Sequence, residues 1–294
     1  MSFVITTESN SEIPYQWEDE NGFCVMRMPY TYDGLERYYD LGRETDIPAF
    51  FKRLREGAVV TTAQRNPAEI EEYFEPYLKQ GNDILHIAFS SKMSGTFSNE
   101  CIARNELLEK YPERRIELVD TLAISMPLGQ LVGVALEMRR AGKSLDEIRD
   151  WVEDNKMKSC SLFAVDSLEY LRRGGRISNT AAFFGTALQL KPILTVGPDG
   201  LVVPVAKIKG QRKAIKYILE GCASTIEQPE DQTVYICHAD CPGDASVLKL
   251  QVEELIKPKA VVIRPVGPVI GSHCGPGTLA IVYFGKGRDE LLLK

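Results

Sequence analysis

The chain has 294 residues, 44% of them hydrophobic, enough apolar mass for a large core in two domains or one large α/β domain. Its net charge of −6 and pI near 5.4 argue against a nucleic-acid-binding surface, and no apolar run approaches the roughly 20 residues that cross a bilayer. The opening MSFVITTESN lacks a basic-then-apolar signal, and seven cysteines without a regular framework suit a reducing compartment, so a soluble cytoplasmic protein is expected.

In chain order, strands are predicted at Phe3–Thr7, Val25–Pro29, Val59–Thr62, Ile84–Phe89 and Ile116–Val119. Helices are predicted between them, at Ile47–Arg55, Pro67–Lys79, Thr96–Lys110 and Pro127–Ala141. That alternation is the signature of a parallel sheet covered by helices. Ser144-Leu145-Asp146-Glu147 is a capping box that starts a further helix ending near Lys156. After Leu162–Val165 the texture changes: a helix at Ser167–Arg173 stops at Gly174-Gly175, an all-round apolar helix covers Ala181–Leu188, and strands at Pro192–Val196 and Leu201–Ile208 flank a hairpin turn, Gly197-Pro198-Asp199-Gly200. Helices at Arg212–Thr225 and Asp244–Ile256 then interleave with strands at Val234–Cys237, Ala260–Val266 and Leu279–Tyr283. A boundary near residue 160 gives two α/β domains, 1–160 with a parallel sheet and 161–294 with a mixed one.

Two turns in the first half have the chemistry of an anion cradle. Ser94 and Gly95 stand between an apolar strand and a helix start, where unpartnered N–H groups and the helix dipole favour negative charge. A serine N-cap without a ligand explains the same residues. Thr61 and Thr62 end a strand just before the helix start at Asn66-Pro67, and loops beyond the strand ends of an open parallel sheet form its ligand crevice. Near the end of the chain, the loop Ile270–Gly277 sets His273 among three glycines.

No G-x-x-x-x-G-K-[ST] and no G-x-G-x-x-G after the first strand is present, so no ATP or dinucleotide cradle is recognised and no cofactor is expected. No G-x-S-x-G elbow appears, yet Ser94 with His273 and Glu8 or Asp120 would make a hydrolase triad if the fold brought them together. Cys237-His238-Ala239-Asp240-Cys241, with His273 and Cys274, is metal-capable, but the spacing has no second matching pair and no metal ligands are assigned. The helix carrying Phe183, Phe184, Ala187 and Leu188 would either fill a core or wall a slot for an acyl chain. Clusters Arg172–Arg176 and Lys207–Lys213 would dock an acidic partner or a nucleotide's phosphates or remain solvated charge, and Arg176 would equally serve as an internal salt-bridge residue.

Several blocks in this order resemble the DegV family, fatty-acid-binding proteins of bacteria, from the first strand to about residue 285. They are Thr7–Pro14, Thr61-Thr62-Ala63-Gln64, Ser90–Phe97, Val119-Asp120-Thr121, Tyr170–Ser178, Leu190–Leu194 and Gly271–Gly277. The resemblance implies two α/β domains with a long-chain fatty acid between them, its carboxylate held at Thr61, Thr62, Ser94 and Gly95 and approached by His273. It also implies a non-catalytic subunit that offers the acid to an ATP-dependent fatty acid kinase for acyl-phosphate formation and phospholipid synthesis, docking through Arg173, Arg176 and Lys209. Departures from the family pattern are Glu8 for aspartate, Ala63 for serine and Cys274 for threonine. The rival readings are a serine acyl hydrolase or thioesterase built on Ser94 and His273, and a sensor of a carboxylate ligand.

Overall fold

The computed structural model describes residues 2–177 and 190–292. The chain runs through β1 (Phe3–Thr6), α1 (Gln16–Asn21), β2 (Pro29–Tyr32), β3 (Leu35–Tyr38), α2 (Ile47–Arg55), β4 (Thr61–Thr62) and α3 (Pro67–Lys79). It continues through β5 (Asp83–Ala88), α4 (Thr96–Lys110), β6 (Ile116–Asp120), α5 (Ser125–Arg140), α6 (Leu145–Asn155), β7 (Ser159–Ala164) and α7 (Glu169–Arg173). The last described stretch holds β8 (Leu190–Val196), β9 (Val202–Lys209), α8 (Gln211–Thr225), β10 (Thr233–His238), α9 (Pro242–Leu255), β11 (Ala260–Pro265), α10 (Pro268–Cys274) and β12 (Leu279–Phe284).

Local chemistry explains most of these boundaries. Asn66 and Ser144 each accept the backbone N–H three residues on, while Glu69 and Glu147 reach back to the cap N–H, so α3 and α6 begin in complete capping boxes. Between β8 and β9, Gly197 N–H donates to Leu201 O at 2.8 Å and Gly200 N–H to Gly197 O at 3.0 Å, the expected hairpin.

Three sheets form. β1, β5 and β6 make the parallel sheet expected in the N-terminal part, with β5 central. The C-terminal part carries a six-stranded mixed sheet in the order β11-β10-β12-β7-β8-β9, parallel only between β10 and β11. The third sheet, β3-β2-β4, differs from expectation. Val59–Thr62 was assigned to the parallel layer, but Thr61 and Thr62 pair antiparallel with Thr31 and Tyr30. The cause is a hairpin at Asp33-Gly34, where both residues have positive φ, 52° and 73°; it folds β3 onto one side of β2 and leaves the other for β4.

The period of two along the central strands separates two interiors. Cys160, Leu162 and Ala164 of β7, with Leu279, Ile281 and Tyr283 of β12, pack in a core under α8 and α9. Phe163 and Val282 point the other way, into the larger core shared with β1, β5 and α5. The tip of the β8–β9 hairpin meets the first half of the chain directly, through Ser90 Oγ donating to Gly200 O at 3.1 Å. No helix among the described residues is long and apolar enough to cross a membrane.

Candidate functional site

A cavity of about 320 Å³ lies where the two larger layers face each other, within the range of about 300–1,000 Å³ common for small-molecule sites. Its walls come from both halves of the chain. Met28, Phe89 and Met93 face Phe163, Val266 and Val282 across a largely apolar interior. The alternation of β7, β10 and β12 is what presents Phe163, Cys237, Ala280 and Val282 to it.

Polar groups also line the cavity. Thr62, Ser94, Gly95 and His273, four of the five expected carboxylate-binding residues, are among its lining residues. Thr61 is not: it is exposed, because successive residues of a strand face opposite sides. Thr62 Oγ1 and His273 Nε2 are 2.9 Å apart and share one hydrogen bond. Ser94 Oγ lies 2.9 Å from Thr96 Oγ1 and accepts the Thr96 N–H at 3.2 Å, which places it against the first turn of α4. The two loops touch: a Cβ on Gly95 would fall 2.0 Å from Gln64 Oε1.

His273 stands on a helix rather than in the expected glycine-rich loop. Pro268 follows Gly267 at the start of α10, His273 is in its last turn, and Gly275, at φ 76°, ends it. Burial, then the positive charges of Arg176 and Arg173, lower the imidazole's pKa from 6.5 to about 4, so the ring is neutral at pH 7. Arg176, expected to dock a partner, instead turns inward. It is half-buried, lines the cavity, and donates from Nε to Met93 O at 3.2 Å and from Nη1 to Gly174 O. Arg173 and Lys209 remain exposed, Arg173 with its guanidinium 5.1 Å from the Tyr170 ring centroid. Phe183, Phe184, Ala187 and Leu188 lie outside the described residues.

The hydrolase geometry is absent. Ser94 pairs with Thr96 and His273 with Thr62, so nucleophile and base are not joined. Glu8 accepts from Phe89 N–H and Asn10, Asp120 from Ser91 and Leu122 N–H, and His273 Nδ1 has no partner that would orient it. Nor do the metal-capable cysteines, among the described residues, form a group of three in metal-ligand spacing. Burial raises the pKa of Cys241 and Cys274 to about 12 and pushes Cys237 up as well, so these thiols stay protonated.

Behind α10 a buried carboxyl holds the helix in place. Glu12 Oε2 accepts from Gly267 N–H at 3.0 Å and Tyr39 O–H at 3.1 Å. Burial raises its pKa from 4.5 to about 8, against the lowering effect of both hydrogen bonds and of Arg264. The folded state thus prefers the protonated acid: the contribution is fully present below pH 4.5 and is lost as pH rises towards 8, a differential on the order of 5 kcal/mol. Melting temperatures from pH 5 to 9 should therefore fall less steeply for Glu12→Gln than for the unaltered chain. Equal slopes would remove Glu12 as the cause.

A family profile described as uncharacterised protein, DegV family, matches residues 2–286. A curated DegV domain-containing protein of Clostridium perfringens is 42% identical over 287 residues, covering 98% of this chain and 99% of its own. The fold is similar to a solved DegV family protein from Thermus thermophilus described by its fatty acid binding, with TM-score 0.86 and 28% identity over 97% of this chain and 100% of that one. It is also similar to DegV from Bacillus subtilis, described as a fatty acid binding protein, with TM-score 0.81, 27% identity and the same two coverages.

Proposed function

The chain belongs to the DegV family, and from that premise we propose that it binds a long-chain fatty acid and presents the carboxylate to an ATP-dependent fatty acid kinase. The observation that carries this reading is one cavity lined both by hydroxyls, a neutral imidazole and a guanidinium and by an apolar wall. Thr62 and Ser94 donate to the carboxylate, the first turn of α4 adds N–H groups, and Arg176 supplies the counter-charge. The neutral hydroxyls and ring leave the acid ionised, as a nucleophile towards a γ-phosphoryl group must be. The kinase brings nucleotide and Mg²⁺ and aligns the transfer. In this reading the protein works in the cytoplasm, where ATP is, as two domains meeting at the cavity and dividing near residue 160.

Fatty acid binding in the Thermus and Bacillus relatives supports the ligand; the exposed Arg173 and Lys209 support a docking face beside it. Organic extraction of purified protein followed by mass spectrometry should recover near-stoichiometric fatty acid. Hydrogen bonds to a charged group are worth about 1.5–3 kcal/mol each, so Thr62→Ala with Ser94→Ala should weaken binding on the order of a hundredfold or more. Unchanged occupancy in the double variant would move the carboxylate elsewhere. With kinase and ATP, Arg173→Glu should lower acyl-phosphate formation while retention of the acid is kept. Parallel losses of both would count against docking there.

A further inference from the structure

Apart from the cavity, the described residues hold one cluster of groups in metal-ligand spacing: Glu8 after β1, His86 at the middle of β5 and Glu100 on α4, all fully buried, with candidate ligand atoms within 4.8 Å of one another. Two carboxyl groups side by side in an apolar interior require a proton or a cation between them, and burial, then the nearby Glu100, raise the Glu8 pKa well above 4.5. Among the described residues neither has a lysine or arginine partner, and His86 alone is within ion-pair distance, its Nε2 3.0 Å from Glu100 Oε1. The surroundings already hold these groups as outer-shell partners hold metal ligands. Phe89 N–H donates to Glu8 Oε1 at 2.9 Å, Asn10 Nδ2 to Glu8 Oε2 at 3.1 Å, and Thr6 Oγ1 fixes His86 Nδ1 at 2.9 Å, leaving Nε2 turned to Glu100. The ring of Phe74 stands edge-on to the imidazole at 5.2 Å and closes one side.

Among the described residues, two buried acceptors at this spot have no hydrogen-bond donor. Glu100 Oε2 is unpaired although its residue is wholly inaccessible, and Asn10, 3% exposed, leaves Oδ1 unpaired beside Glu8. We propose that Glu8, His86 and Glu100 form a closed site for one divalent transition-metal ion of the zinc kind, loaded as the chain folds.

One neutral imidazole and two carboxylates suit such an ion, and its two positive charges cancel the two negative ones. Bonds of about 2.0–2.2 Å to zinc put donor atoms about 3.3 Å apart in a tetrahedron. The His86–Glu100 separation is already close to that, so only Glu8 has to close in. With no solvent-facing position, the ion would be structural. It would tie β1, β5 and α4 together beneath the Ser94 turn, and it is independent of what the cavity binds.

The test uses the full chain without a histidine tag, unfolded in guanidinium and refolded with or without zinc chloride, then gel-filtered and assayed by elemental analysis and thermal melting. About one zinc per chain is expected, with a melting temperature raised by roughly 5 °C or more over protein refolded with chelator. Glu100→Gln should hold less than a tenth of an equivalent and melt at one temperature with or without zinc. Should it not fold, Glu8→Gln serves in its place. The proposal is overturned if the unaltered chain refolds without bound zinc, which would leave protons as the neutralising charge. It is equally overturned if a variant keeps its zinc, which would mark an adventitious ion only.

Discussion

Gly174→Ala should weaken fatty acid retention about tenfold or more while lowering the melting temperature by only a few degrees. Gly174 has φ −75°, a conformation any residue adopts, so the requirement for glycine is purely steric. A Cβ there would stand 2.2 Å from His273 Nδ1 and 2.9 Å from its Cε1. The ring cannot retreat without stretching its 2.9 Å contact with Thr62, and the added Cβ cannot turn away, because Tyr170 O of α7 would lie 3.3 Å from it. Overpacking of this kind costs about 1–3 kcal/mol. Removing the obstacle provides the control, since Gly174→Ala with His273→Ala should melt above Gly174→Ala alone, a non-additivity that exists only if the two groups collide. A displacement assay and a melting curve on the three variants decide it. A single variant that binds and melts like the unaltered chain would refute the clash.

Arg288→Leu should lower the melting temperature by about 10 °C, the second large effect. Arg288 is 2% exposed, and its guanidinium donates to backbone carbonyls rather than to a carboxylate. Nε reaches Ser159 O at 3.1 Å, Nη2 reaches Lys156 O at 3.0 Å, and Nη1 reaches Leu122 O. Leu122 lies between β6 and α5, and Lys156 and Ser159 run from the end of α6 to the first residue of β7, so these carbonyls mark the two ends of the helical pair that links one large sheet to the other. Leucine would fill much of the volume and leave buried carbonyls unpaired, at a cost of about 3–5 kcal/mol, or about 2–4 °C for each kcal/mol in a chain of this size. Arg288→Lys should recover little, because a single ammonium cannot spread to three directions. A leucine variant melting within 2 °C of the unaltered chain would sink the argument.

How much of this was legible in the sequence depends on the range of the interaction. Helices α2, α3, α4 and α6 stand where caps, prolines and apolar periodicity put them, because those signals act within one or two turns. The Asp33-Gly34 turn was equally local and was overlooked, and with it the hairpin that captures β4. Helix α10 was hidden by its glycines, although Gly267-Pro268 is a helix start. At the site, Thr62, Ser94 and His273 could be nominated by residue type, but their meeting depends on contacts between segments as much as 211 residues apart. Thr61 differs from Thr62 only in pleat direction, which requires the partner strand to be known. Residue type leaves Arg176 open between a docking charge and an internal pair, and only the fold shows Met93 O within its reach. Gly174 looked like a helix stop; the imidazole pressed against it comes from almost a hundred residues further on.

In the six-stranded sheet the last strand of the sequence, β12, lies between β10 and β7 rather than at an edge. During synthesis, β7 and β10 therefore leave the ribosome with no neighbour on those sides, and they wait with open edges until residue 284 has emerged. Bridging that gap early would invite pairing with another nascent chain. Assembly of the six-stranded sheet therefore waits for β12, and a deletion that removed this strand would split the sheet into two unconnected pieces instead of trimming its rim.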